Sequence, residues 1–217
     1  MPRPAHSDRL RLDDPRSRLR ADCSRCFALC CVVPAFAVSA DFAITKPAGV
    51  ACRHLSADHR CTIHAELRGR GFAGCTVYDC FGAGQRVSQG TVRGLDPRAG
   101  AATASAVGRA FPAVRALHEL LWYLAEARAL AAARPVHDRL TEAFARIDAL
   151  AGAPPADLAA LDLDAARRDV APLLREASRI ARQRAPHPAG RRPARLRPGA
   201  DLVGADLRGA DLRGADL

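Results

Sequence analysis

Eight cysteines fall within residues 23–80 of a 217-residue chain, and the rest of the chain has none. Their order is Cys23-x2-Cys26-x3-Cys30-Cys31, then Cys52-x8-Cys61-x2-His64, then Cys75-x4-Cys80. Thiolates bind zinc or iron in fours, and a two-residue gap lets two sulfurs reach one ion from a single turn. Cys23 and Cys26 have that gap. Cys30 and Cys31 are adjacent, so their side chains diverge and are not expected to serve one ion together. Eight sulfurs could supply two four-sulfur sites, or leave a spare thiol, and His54, His59 and His64 are substitute ligands. Disulfides are the competing use. They need an oxidising compartment, and an adjacent pair suits them badly. Buried free thiols acting as small apolar filler fit Cys31 alone rather than the set.

A second pattern begins at Ala200. The chain reads Ala-Asp-Leu-Val-Gly, Ala-Asp-Leu-Arg-Gly twice, then Ala-Asp-Leu. Five is neither a helix nor a strand period. It makes sense if each unit builds one side of a square coil. Leu202, Leu207, Leu212 and Leu217 then fill the axis. Ala200, Ala205, Ala210 and Ala215 also point inward, where a small side chain is needed.

The elements that must position these groups are mixed. Residues 1–20 carry six arginines against three aspartates and read as a flexible basic arm. Residues 21–92 form the cysteine module. Within it Val38, Ala40, Phe42 and Ile44 alternate with Ala37, Ser39, Asp41 and Ala43, the pattern of a half-buried strand. Lys46-Pro47-Ala48-Gly49 then turns the chain. Gly82-Ala83-Gly84-Gln85 reads as a turn, since a phosphate loop needs a fuller fingerprint.

Residues 93–181 read as a helical bundle. Val107, Phe111, Val114, Leu117, Leu121 and Leu124 make one helical face. Val136, Leu140, Ile147 and Leu150 make a second, after Pro135. Residues 151–155 read as a loop. A third helix is capped by Asp162 and buries Val170, Leu173, Leu174, Ala177 and Ile180. Pro172 is tolerable only in its first turns. Residues 182–199 hold six arginines, four prolines and no acid, an extended linker. Residues 200–217 are the repeat. The expected fold is therefore multidomain: a metal-stapled α+β cysteine module, a helical bundle and a single coil of β-helix.

Residues 200–217 resemble the pentapeptide-repeat family, whose pattern is Ala-Asp/Asn-Leu-x-x. The resemblance implies a right-handed quadrilateral β-helix and a mostly non-enzymatic protein. Some members bind DNA topoisomerases by mimicking DNA. Four Asp against two Arg over one coil do not carry that activity here. One coil is shorter than repeat architectures need. The expectation is a truncated copy of a longer array, or an array completed by another chain. The run Cys23-x2-Cys26-x3-Cys30-Cys31, with Cys52-Arg53-His54-Leu55 and Cys61-Thr62-Ile63-His64, is similar to a bacterial cysteine-cluster family described as zinc- or iron-chelating. The likeness stops after His64, where Arg70-Gly71-Phe72-Ala73-Gly74-Cys75 replaces the family's Arg-Pro before its next cysteine. The cysteine-cluster resemblance implies metal ligation among Cys23, Cys26, Cys30, Cys31, Cys52, Cys61 and His64; Cys75 and Cys80 lie past the likeness and join the expected ligand set as the remaining two of the eight sulfurs.

The formal charge of +10 is a weaker signal than it looks. Lys46 is the one lysine among 33 basic residues, and alanine fills 47 positions, which reads as a GC-rich coding bias. The arm and the linker account for nearly all of the net charge. Aromatic residues are 5% and do not interleave with the arginines, so stacking on nucleic acid is poorly supported. No apolar run reaches the roughly 18–20 residues that span a bilayer. Arg16, Arg18 and Arg20 precede an apolar stretch ending at Val38-Ser39-Ala40, but Asp8, Asp13, Asp14 and Asp22 lie before it, unlike a short basic leader. A cytoplasmic protein without membrane insertion is expected. Its expected function is that of a non-enzymatic binding or scaffold protein with structural zinc and a protein partner. Two alternatives are an iron–sulfur carrier or enzyme using Cys23, Cys26 and Cys30, and a nucleic-acid-binding zinc module.

Overall fold

The computed structural model describes residues 14–184 and 199–208. Helix is the dominant element. Single-turn helices α1 (Leu29–Val32), α2 (Ala73–Val77) and α3 (Ala83–Arg86) lie in the cysteine-bearing part. Four helices follow: α4 (Ala101–Ala129), α5 (His137–Ala151), α6 (Pro155–Ala160) and α7 (Leu163–Gln183).

The long helix α4 is the hub. Its apolar side chains recur at threes and fours, so one face can be buried along 29 residues. Val107, Phe111, Val114, Leu117, Leu121 and Leu124 are all buried. The helix runs on through the exposed Pro112, whose missing N–H leaves the Gly108 carbonyl without its usual intrahelical donor. Leu140, Phe144 and Ile147 of α5, Leu158 of α6 and Val170, Leu173 and Ala177 of α7 close over it. Asp162 caps α7, its Oδ1 accepting from the Ala165 N–H at 2.8 Å. Arg139 and Arg146 of α5 reach Glu176 and Asp169 of α7 at 2.7 and 3.0 Å. These pairs are exposed and each contributes little.

Two sequence expectations about α7 and its approach are corrected. Pro172 is not confined to the first turns: the helix starts at Leu163, after the expected Asp162 cap, and passes through that exposed residue at its tenth position. The preceding stretch is not all loop, because Pro155 opens α6 at a position where its absent N–H costs nothing.

Of residues 1–20, the last seven are described. Asp14 caps a 3₁₀ turn over Pro15–Leu19, and Leu19 inserts into the bundle core. Leu29, Val33, Ala83, Val87 and Val92 belong to that same core. Residues on both sides of the cysteines therefore pack against α4. A smaller core of Ile63, Leu67 and Phe72 collects Phe36, Phe42 and Ile44.

The expected α+β module is overturned. Among the described residues there is no strand, only isolated antiparallel bridges pairing Phe36 with Lys46 and Leu55 with Cys61. The alternating stretch 37–44 folds as bends. Its backbone groups bond within a turn, Ser39 N–H to Phe42 C=O at 3.0 Å, and to Gly71 and Gly74 rather than to a neighbouring strand. Phe42 and Ile44 do pack inward, but Val38 is 63% exposed. Period-two patterning placed two anchors correctly and supplied no partner strand.

The expected β-helix coil is overturned likewise. Residues 199–208 form turns and no strand. The five-residue period survives as turn geometry. Gly199 and Gly204 have φ +69° and +70°, and Asp201 and Asp206 each accept the N–H two residues on. Leu202 and Leu207 are half-buried and Ala205 is exposed. Ala210, Leu212, Ala215 and Leu217 lie outside the described residues, as do residues 185–198 of the expected linker.

Candidate functional site

The chain brings the cysteines together by reversing direction several times between residues 22 and 83. Asp22 caps a 3₁₀ turn at Cys23–Arg25, accepting from Ser24 N–H at 3.0 Å. The next turn, α1, carries Cys30 and Cys31. The Cys52 N–H donates to the Cys31 carbonyl at 2.9 Å, which brings the second cysteine segment beside the first. Cys61 sits at the bridge with Leu55 and packs against the smaller core. Cys75 lies in α2. After Cys80, Phe81 and Gly82 take left-handed φ of 48° and 75°, turning the chain into α3.

That turn answers the Gly82–Gln85 reading. The segment opens a short helix, and its glycines are there for close approach. A Cβ on Gly82 would lie 2.4 Å from the Arg18 carbonyl. A Cβ on Gly84 would lie 2.6 Å from the Cys26 sulfur and 3.9 Å from that of Cys80. The α3 backbone therefore rests directly on two of the thiols.

All eight cysteines are free thiols. Two neighbourhoods overlap at Cys30. Partial burial raises the Cys23 thiol, and Cys30 and Cys80 raise it further. Burial likewise raises Cys26, with Cys30 and Cys80 again adding to the effect while Ser88 hydrogen-bonds it. Burial raises Cys75, whose neighbours are Cys30, Cys52 and Cys61. Cys30 itself is pushed well up, first by its hydrogen bond with Cys31 and then by burial. These thiols oppose one another's ionisation. A coordinated cation reverses that, because a ligating thiol is deprotonated outright.

As the side chains stand, no three His, Cys, Asp or Glu groups among the described residues are clustered closely enough to hold a metal ion. The histidines sit apart in function. His64 is exposed. His54 packs edge-on against Phe72 at 5.2 Å. His59 is held by Asp96 at 3.2 Å and packs on Phe27, tying the cysteine loops to the turn before α4.

Sequence reasoning missed Gly84 as part of this site. Its signal was a Gly-x-Gly pair directly after Cys80. Gly84→Ala is expected to destabilise the fold by about 1–3 kcal/mol despite alanine's better helix propensity, because the new methyl meets Cys26. Thermal unfolding checks it. Stability at or above wild type would mean that the Cys26 sulfur moves aside without cost.

Comparison with known proteins gives a family match and a relative. Residues 198–217 match the family model described as pentapeptide repeats (8 copies). A Bacillus subtilis (strain 168) protein described as uncharacterized protein YybG is 44% identical over 170 residues, which is 78% of this chain and 61% of that one. The chain thus spans about three fifths of that relative's length. No solved structure matches. Among the described residues, no helix is long and apolar enough to cross a membrane.

Proposed function

We propose that the chain is a non-enzymatic binding protein, in which a helical scaffold supports a metal-holding cysteine cluster and carries a pentapeptide array for a protein partner. The observation that supports the metal half is the approach of Cys26 and Cys80 to Gly84, where a Cβ would crowd the Cys26 sulfur at 2.6 Å and touch that of Cys80 at 3.9 Å. Cys30 and Cys80 both lie near Cys23 and near Cys26. Cys31, Cys52, Cys61 and Cys75 supply the second neighbourhood. Soft thiolate donors of this kind suit zinc, or iron in a cluster. Closed four-sulfur zinc contributes folding energy and leaves no open coordination position for substrate. Its role here is to staple loops whose own apolar core is small. The repeat half rests on the family match at residues 198–217 and on the turns that recur at Asp201 and Asp206.

The test is metal content and the ultraviolet–visible spectrum of protein purified without oxygen. The expected outcome is a colourless protein with at least one zinc per chain, whose removal by chelator loosens the cysteine loops. Metal below about a tenth of an atom per chain, on the order of a preparation's background, removes the metal half. A brown protein with visible absorbance replaces zinc by an iron–sulfur cluster.

A further inference from the structure

Lys46 is the single lysine in a chain that uses arginine at every other basic position. It is also buried, at 3% exposure. Its Nζ donates to three backbone carbonyls, Val32 at 2.9 Å, Pro47 at 3.1 Å and Val50 at 2.7 Å. Three acceptors match the three N–H donors of an ammonium, whereas a neutral amine would leave one carbonyl facing a lone pair. A guanidinium cannot fill this cage, because its five donors lie in one plane. The cage therefore explains why lysine stands here against the composition of the whole chain.

The cage also has a particular place. Val32 directly follows Cys31, and Val50 lies two residues before Cys52. The same two segments are joined by Cys52 N–H to Cys31 C=O, by Gly49 N–H to Val33 C=O at 3.1 Å, and by the reciprocal Phe36 and Lys46 pair. The Nζ stands 5.6 Å above the Phe36 ring. Burial pulls the Lys46 ammonium down from its ordinary value, and the Cys52 and Cys31 sulfurs push it back up.

We propose that Lys46 is the positioning residue of the cysteine cluster. Its ammonium ties the segment after Cys31 to the segment before Cys52 and so holds the backbones of those two cysteines together. The zinc arm of the test rests on the metal-holding reading above; the thiol arm does not.

The experiment compares wild type with Lys46→Met and Lys46→Arg. Met keeps much of the stem and loses the charge; Arg keeps the charge and loses the cage. In reduced, metal-free protein at one fixed pH, iodoacetamide labelling is followed at each cysteine by mass spectrometry. In Lys46→Met, labelling of Cys31 and Cys52 is expected to speed up about tenfold relative to Cys23, as the untied segments open and expose both side chains. In Lys46→Arg, which keeps the charge but cannot fill the cage, the ratio rises likewise, and zinc held against a competing chelator weakens roughly tenfold through misplaced loops. If Lys46→Met loses its helical circular dichroism, Lys46→Arg alone decides. Unchanged labelling ratios and unchanged zinc retention in the folded variants overturn the inference. A wild type that binds no zinc removes the metal reading and leaves Lys46 to be judged by the labelling ratios.

Discussion

Phe111→Ala is expected to remove about 3–5 kcal/mol of stability, a large share of what a domain of this size holds. Phe111 is 1% exposed in the middle of the α4 face, with Val107 and Val114 one turn away on either side. Truncating it loses the transfer free energy of the ring and leaves a cavity between a rigid helix and helices that cannot collapse freely onto it. The urea midpoint should fall with the slope unchanged. The consequence reaches the cysteines, because Leu29 and Val33 beside Cys30 and Cys31, and Ala83 and Val87 after Cys80, sit in that core. Helical circular dichroism and thiol protection should therefore be lost at the same urea concentration, in the variant as in wild type. A loss under about 1 kcal/mol would contradict the placement of Phe111. Thiol exposure well before helix loss would show the two regions unfolding separately.

The sequence exposed those parts of the fold in which a single local rule decides. The α4 stripe was legible because a 3.6-residue period over about five turns has few competing explanations. Asp162 was legible because a side-chain acceptor before an apolar run satisfies orphan N–H groups wherever it occurs. Pro172 misled because its rule is local while its tolerance is tertiary: Val170, Leu173 and Ala177 are buried around it and hold the helix through the missing bond. The 37–44 stretch misled for the opposite reason. Alternation says which side chains face inward, and Phe42 and Ile44 obeyed, but a strand exists only with a partner. Cysteine spacing pointed to a cluster but could not say that Cys30 lies between two neighbourhoods, because that depends on the backbone link from Cys52 to Cys31. Lys46 was visible as an anomaly of composition. Its meaning required three carbonyls contributed by residues 32, 47 and 50.

The other large effect is a loss of stability in mild acid, centred on His118. This residue is 2% exposed on α4. Its Nδ1 lies 2.7 Å from the Phe81 carbonyl, which can only accept, so Nδ1 carries the proton. Nε2 has no hydrogen-bond partner. Burial pulls its pKa down from 6.5 to about 4; the Phe81 carbonyl opposes that shift, and the nearby Arg86 and Arg18 add to it. Above about pH 6.5 the imidazole is neutral folded and unfolded, and its titration adds no pH dependence. Between about 6.5 and 4 the unfolded chain binds a proton that the folded chain refuses, so stability falls as the pH falls. Across the window the loss is roughly 3 kcal/mol. The charged ring keeps its donor to Phe81 but not its burial, so acid favours opening of the packing between α4 and the turn that follows Cys80. His118→Asn places an amide N–H where Nδ1 stands and cannot titrate. Urea unfolding of both proteins from pH 7.5 to 4.5 should give a steeper decline for wild type, with the difference closing above pH 6.5. Parallel curves would mean that His118 accepts its proton in the folded state, and so that the site is more open than its burial indicates.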